Sequence, residues 1–233
     1  MKKTIIPAIL VKNKKDFFAR LDVAAQLSDT VQIDVMDGLF VKNETPRDLN
    51  SGKWFAEYLV AHSDYRTSDR QIPSVELHLM VVDPWKVIRQ WHEFEQLKRA
   101  IWHLEAPIEH AELTEVVDGL GIVPGLAINP KTKLTELTPY LAKKDNVTTP
   151  DHVLVMGVTP GWSGQKFETS SLGKIRTLRK KFPKLSIGVD GGMNEKTIPS
   201  VIKAGANVIN AAGSIFLASD PRVAYHQLTK FVH

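Results

Sequence analysis

Two aspartates lie close together in the segment VQIDVMDG, residues 31–38. Apolar residues at every second position alternate with Gln32, Asp34 and Met36, and this period of two predicts a β-strand with one polar face. A carboxylate is unfavourable on a buried strand unless a cation or a set of hydrogen bonds compensates for its desolvation. Asp34 therefore lies either at a solvent-facing edge or in a functional site.

Two further residues suited to the same chemistry follow other apolar runs. His78 lies near the end of SVELHLMV (74–81), and Asp190 ends LSIGVD (185–190). Two carboxylates and an imidazole are good ligands for a divalent metal ion. Each side chain alone could be satisfied by hydrogen bonds at a strand end. Three of them at one place favour a cation or a shared proton, because like charges repel.

The elements that would position these residues are short apolar runs separated by amphipathic segments. Alternation of strand and helix predicts a parallel sheet. Eight such units in 233 residues predict an α/β fold with a closed (β/α)8 TIM barrel, and we expect one domain over residues 1–233. The predicted strands cover 4–11, 30–36, 74–81, 100–106, 121–128, 152–158, 185–190 and 206–213, and the predicted helices include 14–27, 84–97, 171–182 and 194–205. The long connection 44–74 is predicted to hold one helix and a polar segment at 63–73, and 143–150 is predicted as a loop.

Active sites of this fold lie at the carboxyl ends of the strands, where inward side chains converge. The three ionisable residues are near such ends and on the inward parity, and the fourth run ends in His103 and Glu105. Met36, Met80 and Met156 share that parity. Methionine more often only fills a core, but here it predicts an apolar collar around the site.

Three glycine-containing clusters follow the last three predicted strands: TPGWSGQ (159–165), VDGGM (189–193) and AAGSIF (211–216). Glycine lets backbone N–H groups approach a ligand, and these loops commonly bind phosphate in this fold. A helix predicted to begin near Ser214 would add its N-terminal partial charge. One Gly-Gly pair is more often only a turn, whereas three clusters favour a phosphate site. Lys42 and Lys166 could reach an anion, although a loop lysine is more often simply solvated.

The composition excludes several classes of protein. The chain has no cysteine, which excludes disulfides, thiolate metal ligands and a cysteine nucleophile. The basic residues are scattered, with a net charge of +4, and no run approaches the roughly 18 apolar residues of a membrane span. Lys2 and Lys3 before an apolar run imitate a signal peptide, but Pro7 and Lys12 interrupt it. We therefore expect a cytoplasmic protein that binds neither nucleic acid nor membrane.

Eight motifs resemble, in order and spacing, those of the ribulose-phosphate 3-epimerase family. They are IIPAIL, DVMDGLFVKN, VELHLMVVDP, HLEA, GLAINPKT, VLVMGVTPGWSGQKF, VDGGMNEKT and AGANVINAAGSIF. The resemblance implies a TIM barrel that binds a ketose phosphate and, as an isomerase of the pentose phosphate pathway, interconverts D-ribulose 5-phosphate and D-xylulose 5-phosphate at C3. It also implies a homo-oligomer.

The resemblance further implies one divalent metal ion, either zinc, manganese, iron, cobalt or magnesium, held by Asp34, His78 and Asp190 with Gln32 as a weak or absent ligand. The two aspartates would be the acid and base on opposite faces of the substrate, and the metal would stabilise the enediolate. Asp37 is expected instead to accept hydrogen bonds from backbone N–H groups of the following loop.

The resemblance also implies contacts with the rest of the substrate. His78 and the three methionines Met36, Met80 and Met156 are expected to line the substrate, together with Ala8. Backbone N–H groups are expected to hold the phosphate at Gly161, Trp162, Ser163, Gly164, Gly191, Gly192, Gly213 and Ser214.

Departures from the family pattern gather at the same site. Gln32 stands in place of a metal-binding histidine, Ala8 in place of a serine, and Leu39 and Lys42 in place of histidine and proline. Thr159, Trp162 and Ser163 replace asparagine, phenylalanine and glycine. A carboxamide oxygen is a weaker zinc ligand than imidazole and suits harder ions.

Three functions therefore compete. The first is a metal-dependent 3-epimerase of D-ribulose 5-phosphate, and the second is a 3-epimerase of another ketose phosphate, of the allulose-6-phosphate type. The third is a non-catalytic phosphosugar-binding barrel. A lyase of the related decarboxylase and hexulose-phosphate synthase kind fits poorly, because the Asp-x-Lys-x-x-Asp pattern is missing. Retention of Asp34, His78 and Asp190 favours an enzyme, since a decayed site has no reason to keep buried carboxylates.

Overall fold

The computed structural model describes residues 1–63, 72–142, 147–161 and 164–232. The elements in chain order are β1 (Thr4–Ile9), α1 (Lys14–Leu27), β2 (Thr30–Met36), α2 (Arg47–Asn50), α3 (Lys53–Ala61), β3 (Ser74–Met80), α4 (Pro84–Trp91), β4 (Leu97–His103), α5 (His110–Gly119), β5 (Val123–Ile128), α6 (Leu134–Leu141), β6 (His152–Met156), α7 (Ser171–Lys181), β7 (Ser186–Asp190), α8 (Ile198–Ala204), β8 (Val208–Ala211), α9 (Gly213–Phe216) and α10 (Pro221–Thr229). The strands form a closed barrel in sequence order, and β8 pairs in parallel with β1. The predicted (β/α)8 barrel is confirmed.

The strand register brings the polar side chains of neighbouring strands side by side. Asp34 of β2 pairs with His78 of β3, and one layer lower Gln32 pairs with Glu76. Because side chains alternate between the two faces of a strand, these four residues share the inward face. Intervening residues such as Ile33 belong to the large apolar core on the other face of the strands.

The barrel interior is divided into an apolar part and a polar part. Ile101, Ala127, Leu154 and Met156, contributed by β4, β5 and β6, form a separate buried apolar cluster. The inward positions of β2, β3, β7 and β8 instead carry buried polar and charged side chains. The polar part is where the site lies.

The predicted elements agree with the observed ones except around β4 and in the long connection after β2. The predicted helix 84–97 is wrong at its end, because α4 ends at Trp91 and β4 begins at Leu97. Arg99, which lies between the predicted helix 84–97 and the predicted strand 100–106, belongs to β4, with its Nη1 2.7 Å from Glu76 Oε2. The connection 44–74 holds two helices, α2 and α3, rather than one. Residues 64–71 of the predicted polar segment and 143–146 of the predicted loop lie outside the described residues.

The loop after β2 is anchored as expected. Asp37 Oδ1 accepts hydrogen bonds from the backbone N–H groups of Leu39 and Phe40, each at 2.8 Å. Its Oδ2 accepts one from the N–H of Val82 at 2.7 Å, which ties this loop to the loop after β3. The expected role of Asp37 is therefore confirmed. None of the helices in the described part of the chain is long and apolar enough to cross a membrane.

Candidate active site

Asp34, His78 and Asp190 meet at the carboxyl end of the barrel. His78 Nδ1 lies 3.1 Å from Asp34 Oδ1 and 3.4 Å from Asp190 Oδ2, so one imidazole nitrogen faces both carboxylates. His78 and Asp34 are buried, and Asp190 lies at the edge of solvent access. The two aspartates, referred to below as the carboxylate pair, come from β2 and β7, which β1 and β8 separate in the closed barrel.

Gln32 bridges the carboxylate pair from below. Its Nε2 donates to Asp34 Oδ1 at 2.8 Å and to Asp190 Oδ2 at 2.7 Å. Its Oε1 is turned away and accepts a hydrogen bond from Asn210 Nδ2 at 2.6 Å. As placed, Gln32 presents N–H groups rather than an oxygen to the site, so it serves as a donor to the carboxylates.

These contacts extend into what we call the amide network, formed by Gln32, Asn210, Glu76 and Arg99. Asn210 Nδ2 also donates to Glu76 Oε1 at 2.5 Å, and Arg99 Nη1 donates to Glu76 Oε2 at 2.7 Å. Burial raises the pKa of Glu76, and the Arg99 charge and these hydrogen bonds oppose the rise. The amide network thus joins four strands beneath the carboxylate pair.

A second set of contacts, the histidine network, consists of His78, His103, Glu105 and Thr132. His78 Nε2 lies 3.0 Å from His103 Nε2, and His103 Nδ1 lies 3.2 Å from Glu105 Oε2. Glu105 Oε1 accepts hydrogen bonds from the Thr132 hydroxyl and from the backbone N–H of Asn129, the latter at 2.9 Å. This network reaches the carboxylate pair from the β4 side.

The charges of the site follow from burial and from these contacts. Burial lowers the pKa of His78, but hydrogen bonds and charges from Asp190 and Asp34 outweigh it and raise that pKa to about 9. Burial raises the pKa of Asp34, and the His78 hydrogen bond opposes the rise. Burial lowers the pKa of His103 to about 4, so its ring is neutral at pH 7. Burial raises the pKa of Glu105, but its hydrogen bonds, from His103 first, lower it overall to about 2.

The three residues fit a divalent cation. One ligand atom each from Asp34, His78 and Asp190 lies within 4.8 Å of the other two. Two carboxylate oxygens and an imidazole nitrogen are a donor set for first-row divalent metals, and three protein ligands suffice in many catalytic sites. Gln32 would become a fourth ligand only with its amide turned to present Oε1.

A cavity of about 340 Å³ opens above the carboxylate pair, a size that suits a small phosphorylated sugar. The expected collar residues Met36, Met80 and Met156 line it, as do Asp34, His78 and Asp190. So do the described glycine-cluster residues Gly161, Gly164, Gly191, Gly192, Gly213 and Ser214. The cavity therefore brings most of the predicted site residues together.

Gly191 and Gly192, after β7, leave no room for side chains. Gly191 has a φ of +97°, and a Cβ there would lie 2.5 Å from Val158 Cγ2. The predicted helix near Ser214 is present as the single turn α9. The Ser214 Oγ is shielded from solvent and has no hydrogen-bond partner among the described residues. A buried hydroxyl of this kind calls for a ligand or a water molecule.

Other predicted residues lie elsewhere. Ala8 is fully buried and is not part of the cavity lining, although its register partner is Gln32. Lys42 and Lys166 are exposed and outside that lining. Trp162 and Ser163 lie outside the described residues.

Sequence reasoning missed Asn210 and gave no role to His103 or Glu105. Asn210 lines the cavity floor and fixes Gln32. Its only signal is a polar residue on the inward parity of the run VINA, a signal also given by His103 in β4.

The comparisons with known proteins agree with this geometry. A model of the ribulose-phosphate 3-epimerase family matches residues 4–216. A ribulose-phosphate 3-epimerase of Eremothecium gossypii is 36% identical over 232 residues, covering 95% of this chain and 90% of the relative. The cytoplasmic isoform of ribulose-phosphate 3-epimerase of Oryza sativa subsp. japonica is 33% identical, with coverages of 98% and 93%.

Solved structures of other enzymes share the fold. A 3-keto-L-gulonate-6-phosphate decarboxylase of Vibrio cholerae superposes with a TM-score of 0.68 at 15% identity, covering all of this chain and 98% of that one. A 3-hexulose-6-phosphate synthase superposes with a TM-score of 0.63 at 19% identity, with full coverage of both chains. At such identities the likeness concerns the fold alone. The sequence matches and the site together establish that this chain belongs to the ribulose-phosphate 3-epimerase family.

Proposed function

We propose that this chain interconverts D-ribulose 5-phosphate and D-xylulose 5-phosphate by moving a proton at C3. The observation that carries the proposal is the carboxylate pair, which converges from two separate strands at the floor of a cavity suited to a phosphorylated sugar. Membership of the family supports the same reaction. No observation favours an allulose-6-phosphate epimerase or a non-catalytic binding protein.

Inversion at C3 requires a base on one face of the carbon and an acid on the other. Asp34 and Asp190 meet this requirement because they extend from β2 and β7, with His78 Nδ1 in reach of both. The two carboxyl groups must differ in protonation for one to accept and the other to donate a proton. Burial raises the pKa of Asp34, which favours its carrying a proton at the start of a turnover.

A divalent metal ion would be held by Asp34, His78 and Asp190. Its chemistry when bound is that of a Lewis acid, which stabilises the negative charge that develops on the substrate oxygens beside C3. The methionine collar, formed by Met36, Met80 and Met156, lines the cavity and keeps bulk water from the reacting carbon.

The phosphate of the substrate would lie at the glycine side of the cavity. Among the described lining residues none is a lysine or arginine, so backbone N–H groups and the Ser214 hydroxyl must supply the donors. The unpartnered Ser214 Oγ supports this placement. The backbone of Gly191 and Gly192, both with positive φ, approaches closely enough to contribute.

The decisive experiment is proton NMR of D-ribulose 5-phosphate with the purified protein in heavy water, with zinc or manganese supplied. The expected result is deuterium at C3 together with D-xylulose 5-phosphate. Exchange without the epimer would mean that one carboxylate works and the opposite face lacks its acid. No exchange would refute the proposal, and the same assay with allulose 6-phosphate would then test the other substrate class.

Four further expectations stay predictions: that residues 1–233 form one domain, that the chain is a homo-oligomer, that it binds no nucleic acid and that it is cytoplasmic. The oligomeric state is measured directly by light scattering of the purified protein. Each is compatible with the proposed reaction and none is required by it.

A further inference from the structure

We propose that Glu105 and His103 act as positioning residues that keep the proton of His78 on Nε2, so that Nδ1 is the nitrogen offered to the carboxylate pair and to a metal ion. This inference deepens the proposed function and rests on it for its purpose. The arrangement of protons is a property of the protein alone and can be tested without substrate or metal.

Glu105 determines which nitrogen atoms of the histidine network donate hydrogen bonds and which accept them. One of its oxygens, Oε1, faces the backbone N–H of Asn129 at 2.9 Å, a group that can only donate. The other oxygen, Oε2, faces His103 Nδ1 at 3.2 Å. A carboxylate is an acceptor at both oxygens, so His103 Nδ1 must carry a hydrogen. Hydrogen bonds hold the pKa of Glu105 down at about 2, although burial alone would raise it, and it is therefore ionised at pH 7.

The next step passes from His103 to His78. Only one hydrogen fits between His103 Nε2 and His78 Nε2. His103 faces one carboxylate, at Nδ1, whereas His78 Nδ1 faces two, so a second ring hydrogen is better compensated on His78. With a hydrogen already on Nδ1, His103 Nε2 is therefore bare and accepts. His78 Nε2, 3.0 Å away, must then donate. The reverse tautomer of His103 would bring a bare Nδ1 against the Glu105 carboxylate, so that two acceptors would face each other.

Burial keeps this order of hydrogen bonds in place. The exposed fraction is 0% for His103 and 1% for His78, so bulk water has no access to re-pair their nitrogens. Their rings stack with centroids 5.1 Å apart and planes 30° apart, and Phe40 packs on His103 at 4.9 Å between ring centroids. The rings are therefore fixed in position as well as in tautomer.

The consequence concerns the other nitrogen of His78. With Nε2 committed to His103, only Nδ1 can lose its hydrogen, and Nδ1 is the atom that faces Asp34 and Asp190. A metal-binding imidazole commonly donates its remote N–H to a partner that fixes tautomer and orientation. Here that partner is a second histidine, which is itself oriented by a carboxylate.

The test is a long-range ¹H–¹⁵N NMR spectrum of metal-free protein labelled with ¹⁵N-histidine, recorded near pH 7. Protonated and bare ring nitrogens give distinct signals, and the His103→Gln variant assigns the His103 pair by loss. The expected result is a hydrogen on Nδ1 of His103 and a bare Nε2. A hydrogen on Nε2 of His103 would overturn the proposal. The tautomer is read in the parent protein, and the variant serves only to assign the signals.

The Glu105→Gln variant tests whether the side chain at position 105 determines the His103 tautomer. The Asn129 N–H still requires an acceptor, so the glutamine oxygen should stay there and its NH₂ should face His103 Nδ1. The expected result is reversal of the His103 tautomer and a loss of zinc affinity of about 10- to 100-fold, measured by competition with a chelator. Thr132→Val is the matched control, because it removes one hydrogen bond to Glu105 but keeps the carboxylate.

The outcomes separate this inference from the proposed function. An unchanged His103 tautomer in Glu105→Gln, or equal effects of Glu105→Gln and Thr132→Val on zinc affinity, would overturn the positioning role. A parent protein that has the expected tautomer but binds no zinc would support the inference and count against a metal-dependent reaction. Absence of deuterium exchange at C3 would count against the proposed reaction, whereas the positioning role would still be decided by the His103 tautomer.

Discussion

The amide network and the histidine network both end on the carboxylate pair, but they offer it different groups. The amide network, below the pair, directs the Nε2 hydrogens of Gln32 at Asp34 and Asp190. The histidine network, beside the pair, directs His78 Nδ1 at the same two side chains. An amide N–H can only donate, whereas an imidazole nitrogen can donate or, once deprotonated, act as a ligand.

The difference indicates that each network supports a different state of the site. Without a cation, two buried carboxylates repel, and the shared Gln32 donor lowers that repulsion. With a cation, His78 contributes a ligand and the Gln32 amide contributes none in its present orientation. A histidine at position 32 could donate in the first state or bind the metal in the second, whereas Gln32 as placed serves only the first. The glutamine therefore shifts the balance toward a site that is stable without its metal.

The largest expected effect is on kcat and follows from substitution of the carboxylate pair, which both networks contact. Asp34→Asn and Asp190→Asn should each lower kcat by about 10²- to 10⁴-fold, because a general acid or base is lost. The assay is epimerisation at saturating zinc, with C3 deuterium exchange measured in parallel. Asp83→Asn, the same change at the exposed N-cap of α4, is the control and should retain full activity. Full activity of either site variant would remove that carboxylate from the mechanism.

The next expected effect is on the unfolding free energy and concerns the amide network alone. Gln32→Met keeps a similar volume but removes the donor shared by the carboxylates, and the metal-free protein should lose about 1–3 kcal/mol of unfolding free energy. Urea titration measures the change, and added zinc should recover most of it, since the cation takes over the bridging role. Gln26→Met on the exposed face of α1 should change stability by no more than about 0.5 kcal/mol. A Gln32→Met protein as stable as the parent without metal would show that the amide network carries no such role.

The smallest effect is a pH dependence confined to the histidine network. The pKa of Glu105 is lowered from 4.5 to about 2, so its contribution to stability is present above the unfolded value and is lost as pH falls from about 4.5 toward 2. The stability difference between the parent and Glu105→Gln should therefore shrink between pH 5 and pH 3, measured by urea unfolding. A difference that is constant over this range would mean that Glu105 is not held as an ionised acceptor.

Several parts of the site can be read from the sequence for a physical reason. Alternation with a period of two fixes which side chains of a strand share a face, and the fold fixes which end of each strand meets the others. These two rules place Asp34, His78 and Asp190 together before any coordinates are known. The glycine clusters after β6, β7 and β8 were located by the same reasoning, because positive φ and close backbone approach require glycine.

The partners within the site were decided by the tertiary structure. Which inward residue lies against which depends on the register between strands distant in sequence, so the contacts of Gln32 with Asn210 and of His78 with His103 leave no local signal. The start of β4 was misjudged for the same reason, since Arg99 is tolerated in a strand only because Glu76 of β3 lies opposite it. The sequence by itself determined which chemical groups are present and which face they occupy. The closed barrel decided which atoms of those groups meet, because hydrogen-bond direction depends on positions that only the folded chain defines.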